Sequence, residues 1–153
     1  MRPLLLSAFL AVLAAPAAAD DAQRYLAGEG MGYAKAAELN HFPGPMHVLE
    51  LAAPLELTAE QRTATERLMQ THKAEARALG AKLVAAEQAV EQLFRSGRVD
   101  PKELESAVAA AARLQGEYRL SHLETHRRMR ALLTEEQVKR YDMLRGHHQH
   151  RKH

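Results

Sequence analysis

The chain has 153 residues, no cysteine, no tryptophan and a formal net charge of +2. That length suits one domain, and the lack of thiols excludes disulfides and thiolate metal sites. The near-balanced charge argues against a dedicated nucleic-acid binder, whose affinity comes largely from neutralising phosphates.

The first elements read as a leader. Arg2, the apolar run Leu4 to Leu13, Pro16 and the small residues Ala17, Ala18 and Ala19 have the layout of a signal peptide over residues 1–19, with Asp20 as the first mature residue. The apolar run is too short to span a bilayer and no later run replaces it, so an exported protein without a membrane span is expected. Loss of Arg2 takes the formal charge from +2 to +1.

Residues 20–44 carry Gly28, Gly30, Gly32, Pro43 and Gly44, which predicts a flexible segment with at most short, interrupted helix. From Pro45, "MHVLELAAPL" predicts one or two helical turns ending near Pro54. "LTAEQ" then opens a long helix. Thr58 can accept from the backbone N–H three residues on while Gln61 reaches back, the reciprocal capping box. The apolar stripe Leu68, His72, Ala76, Leu79, Leu83, Ala86, Val90 and Phe94 follows at helical spacing.

"RSGRVDP" closes that helix at Gly97 and starts the next at Asp100 and Pro101, the signature of a helical hairpin. The second long stripe, on the third helix, runs through Leu104, Val108, Ala111, Gln115, Tyr118, His122, Met129 and Leu132. "LTEEQ" restarts a final helix with Thr134 and Gln137 in the same capping roles, ending at Gly146. The tail over 147–153, with His147, His148, His150 and His153, reads as disordered and polar.

The fold expected is all-α: a long antiparallel hairpin with short flanking helices in a domain over residues 45–146. Each long helix should measure roughly 45–60 Å. A lone hairpin of that length cannot cover both apolar stripes, so a homodimer is the expected completion.

Antiparallel pairing from the turn matches Leu93 with Leu104, Val90 with Val108, Leu83 with Leu114 and Leu79 with Tyr118. The same register sets His72 opposite His126 and Thr125, and Met69 opposite Met129 and Arg128. His72, His122, His126 and Met129 are thus candidate metal ligands, with His47 as an additional one. Imidazoles at i and i+4 can chelate from one helix, and a third ligand from the facing helix closes a site. Histidine and methionine without cysteine suit copper, nickel, cobalt or zinc, and the sequence does not choose among them. The competing reading makes these histidines satisfied core or surface residues and the methionines core filler.

Two Leu-Thr-x-x-Gln copies bracketing a hairpin behind a leader, with "SHLETHRRMRALLTEEQVKRYD" at its close, resemble the Spy/CpxP family of periplasmic stress proteins over about residues 45–145. The resemblance implies a small curved helical protein, usually dimeric, working without ATP. Relatives include chaperones for unfolded clients, inhibitors of envelope-stress sensors, and periplasmic metal sensors of the CnrX and ZraP kind. The sensors take ligands from the short first helix, a carboxylate from the second and a His and a Met from the third. Here Met129 aligns with that Met, Thr125 stands four earlier, Met69 is near the carboxylate position, and His47 and Glu50 lie on the first helix. The expected function is a metal-responsive envelope-stress protein, a sensor or resistance accessory with possible client binding. The alternative is an ATP-independent chaperone with no specific metal site, whose helical face mixes apolar groups with Arg127, Arg128 and Arg130. No nucleophile–base arrangement, phosphate loop or paired-carboxylate cleft is legible, so no enzyme is expected.

Overall fold

The computed structural model describes residues 17–146, with side chains from Asp20 onward. Most of the expected leader and the whole His-rich tail 147–153 lie outside the described residues. Six helices follow in order: α1 Ala17–Ala27, α2 Lys35–Glu38, α3 Pro45–Glu50, α4 Ala59–Arg95, α5 Pro101–Leu132 and α6 Glu135–Leu144. No strand occurs among the described residues.

The hairpin forms where the sequence placed it. Gly97 takes a φ of +69°, the left-handed turn that ends α4. Asp100 then caps α5 by accepting from the backbone N–H groups of Lys102 and Glu103 at 2.9 and 3.1 Å. The two long helices run 37 and 32 residues and pack along each other.

Both capping boxes are present, and the two motifs also bond to each other. Gln61 Nε2 donates to Gln137 Oε1 at 2.8 Å, and Gln137 Nε2 donates to Gln61 Oε1 at 2.9 Å. The remaining amide hydrogens go to the Leu132 and Leu55 carbonyls, while each Oε1 also accepts from its own N-cap backbone. Every donor on both amides is therefore bonded, and the start of α4 is tied to the start of α6.

Around this clasp sits the main core. Val48 of α3, Leu55, Leu68 of α4, Met129 of α5, Leu133, and Val138 and Tyr141 of α6 form one buried cluster. Halfway along the hairpin a second packed region surrounds Ala76, Leu83, Leu114 and Tyr118. Beyond Leu83 and Ala111, toward the turn, no described side chain is fully buried.

Helix over residues 20–44 is short and interrupted, as expected. An eleven-residue helix, α1, packs on α4, and α2 packs on α5. The docking depends on Gly80: a Cβ there would lie 2.0 Å from the Tyr25 carbonyl oxygen, so only glycine admits the end of α1. Tyr25 and Tyr33 stand edge-on to the Tyr118 ring, with centroids 5.1 and 6.2 Å away. Gly28, Gly30 and Gly32 lie after α1, in the turn that brings Tyr33 back to the hairpin, and Gly44 is the N-cap of α3.

Candidate metal centre

Between the main core and the tyrosine layer lies a layer of histidines. His72 of α4 and His122 of α5 meet, with Nε2 of the first 3.0 Å from Nδ1 of the second and ring centroids 4.4 Å apart. One nitrogen of that bond carries the proton and the other accepts it. His122 is 4% exposed and also stacks against Tyr118 at 4.8 Å. The outer nitrogens, Nδ1 of His72 and Nε2 of His122, are buried without a protein partner. Buried nitrogens left unpaired are uncommon and cost stability.

Burial favours the uncharged ring. It pushes His122 down to about 4, helped by the neighbouring His72 and His126. His72 is lowered for the same first reason, with His126 second. Both rings are neutral at ordinary pH, the form that ligates metal.

The other candidates are placed differently. His126 was expected opposite His72, but the contact falls one turn away at His122, because the loop before α3 engages His126. Its Nδ1 donates to the Phe42 carbonyl at 2.8 Å, and Gly44 abuts the ring. That bond engages Nδ1 and leaves Nε2 as the nitrogen free to ligate, the arrangement that a carbonyl behind the ring imposes on ligating histidines. Met129 is fully buried in the main core against aliphatic side chains, so the structure uses it as packing. Thr125 donates its hydroxyl to the Ser121 carbonyl. His47 pairs with Glu50 on its own helix at 3.0 Å, on the α3 side of the core. Among the described residues, no group of three or more His, Asp or Glu side chains converges as a metal cage would.

The imidazole pair itself fits an ion. Two imidazoles on one tetrahedral ion, each roughly 2.0–2.1 Å away, hold their donor nitrogens about 3.3 Å apart, and these stand at 3.0 Å. The proton now held between these two inner nitrogens has to move to the unpartnered outer nitrogen of its ring before both can ligate one ion.

Several residues around the pair were not singled out from sequence. Tyr118 donates to the Glu29 carbonyl at 2.6 Å, and a Cβ on Gly30 would come 3.9 Å from His122 Nδ1. Tyr33 bonds both Tyr25 and Gln115 at 2.9 Å. The signal available was the i, i+4 spacing of Tyr118 and His122. A separate contact joins His41 to the buried carboxylate of Asp142 at 2.6 Å.

The fold and this layer define a small all-α hairpin closed by paired Leu-Thr-x-x-Gln caps, with buried imidazoles between its long helices. A family model described as heavy-metal resistance matches residues 4–140, and the chain belongs to that family. The family is part of the Spy/CpxP/CnrX-like periplasmic helical group carrying the Leu-Thr-x-x-Gln motif. The family is heavy-metal-related and typically periplasmic. Comparison with the curated proteins and with the solved structures returned no match. No helix among the described residues is long and apolar enough to cross a membrane.

Proposed function

We propose that the protein is a metal-responsive resistance accessory or sensor of the periplasm, exported through its leader, which binds a copper, nickel, cobalt or zinc ion at His72 and His122 without catalysing a reaction. The observation that carries this is the pair of buried, neutral imidazoles whose outer nitrogens lack partners. His126, one turn along α5 from His122 and with Nδ1 engaged by the Phe42 carbonyl, offers Nε2 as a further donor. When bound, the ion would join α4 to α5 across the hairpin, and the protein's part is to hold neutral imidazoles close together in a dry layer.

The test is calorimetric titration of the chain with His147, His148, His150 and His153 changed to Ser, so that the tail cannot contribute. Binding tighter than about 10 μM, abolished by H72A or H122A, is expected. No such binding by any of the four ions sinks the reading.

A second reading has its own support. A groove of about 410 Å³ between α4 and α5 is lined by Arg67, Arg127 and Arg128 over Leu68 and Leu132, and Phe94 and Val108 leave apolar surface open near the turn. Such mixed basic and apolar surface suits weak, plural contacts with unfolded clients or with an envelope stress sensor. The same exposed surface near the turn suits a homodimer. Suppression of aggregation of an unfolded client, without ATP or metal, would favour the chaperone activity over the metal site.

A further inference from the structure

We infer that residues 28–33 are a strap that gates access to the imidazole pair, so that an ion binds only when the α1 end of the chain lifts from the hairpin. The inference rests on the metal-binding reading of His72 and His122. Neither outer nitrogen is open to solvent, and the inner two are engaged with each other. An incoming ion therefore meets a covered site, and something must move before it binds.

The strap is part of that cover. Gly30 passes beside His122, a Cβ on it coming 3.9 Å from Nδ1, while the neighbouring Glu29 carbonyl holds the Tyr118 hydroxyl at 2.6 Å. The Tyr118 ring in turn packs on His122. Tyr33, at the end of the strap, is fastened to α5 by accepting from Gln115 at 2.9 Å. Opening has to part α1 from α4, where the backbone of α1 meets Gly80, and to break the hydroxyl bonds of Tyr33 and Tyr118. An element at one end of the described chain, laid on a single face of the hairpin, can open below the global unfolding limit. The hairpin beneath it, with its clasp and core, stays closed.

A gate of this kind has a kinetic signature. Binding observed by tyrosine fluorescence in stopped flow should level off at high ion concentration, at the rate of strap opening. G80A supplies the open state. Its methyl cannot coexist with the Tyr25 carbonyl 2.0 Å away, while alanine is the better helix former and does not weaken α4. In G80A the observed rate should rise linearly with ion concentration and exceed the wild-type plateau by about tenfold or more, with the apparent Kd tighter by the wild-type closed-to-open ratio. Hydrogen exchange at the amides of residues 24–33 verifies that the strap has opened in the variant. Y33F, which keeps the ring and loses both hydroxyl bonds, should raise the plateau a few-fold and serves if G80A disturbs more than α1.

The probes are Cu²⁺, Ni²⁺, Co²⁺ and Zn²⁺, each alone. Wild-type rates linear in ion concentration and equal to those of G80A and Y33F would overturn the gate while leaving the site intact. Absence of binding in both wild type and G80A would remove the site and the gate together.

Discussion

At the open end of the hairpin, Leu68 and Met129 are packed out of solvent by α3 and α6. Near the turn, Phe94 and Val108 belong to the same two helices and the same apolar stripes, yet stand 59% and 49% exposed. The helices are alike at both ends; their neighbours are not. Two helices bury only the strip along which they touch, and a third element has to cover the remainder. α3 and α6 do so at the open end and α1 does so in the middle. Among the described residues nothing does so at the turn.

The sharpest way to break the contrast is to truncate equivalent residues at the two ends. M129A should lower unfolding free energy by about 2–5 kcal/mol, since it empties a filled core, measured by urea denaturation. V108A should change it by less than about 0.5 kcal/mol. A V108A loss that grows with protein concentration would show that a second copy covers the turn.

The histidine layer between the two ends adds a pH dependence. Unfolded His122 titrates near 6.5 and the folded residue near 4. As pH falls below 6.5 the unfolded chain takes up a proton that the folded chain refuses, so metal-free stability declines until about pH 4 and this contribution then stops changing. The loss attributable to His122 is about 3 kcal/mol at most, with His72 acting in the same direction. H122Q should flatten that limb of the stability–pH curve; an unchanged limb would show that the pair is not held neutral.

A smaller effect sharpens the open end. Q61A and Q137A each leave partners of the clasp unbonded, costing about 1–3 kcal/mol. Because the two share the same bonds, the double variant should lose about 1 kcal/mol less than the sum of the singles. Full additivity would mean that the two motifs cap their helices independently.

The hairpin, its turn and both capping boxes were legible because each follows from local chemistry: Gly97, Asp100 and Pro101 at the turn, and Thr and Gln three apart at the helix starts. The meeting of His72 with His122 was legible to within one turn, since the turn fixes the register. What was not legible depends on a third element. Whether Met129 packs or ligates depends on where α3 and α6 lie, and the spacing of its own helix says nothing about that. Gly80 reads in sequence as a weak point inside a helix, whereas in space it is the seat of α1. The clasp was half visible: each glutamine was assigned to its own helix start, but their mutual bonds join positions far apart in the chain.

Joining Gln61 to Gln137 gives this thiol-free chain a cross-link made of amides. The segment from 61 to 137 becomes a closed ring held without a covalent bond, and the hairpin's loose ends cannot fray one at a time. A disulfide would give similar closure, but sulfur is open to reduction, oxidation and capture by soft metal ions. Carboxamides offer such ions little, so a protein of the heavy-metal resistance family keeps its fastening chemically separate from the metals around it.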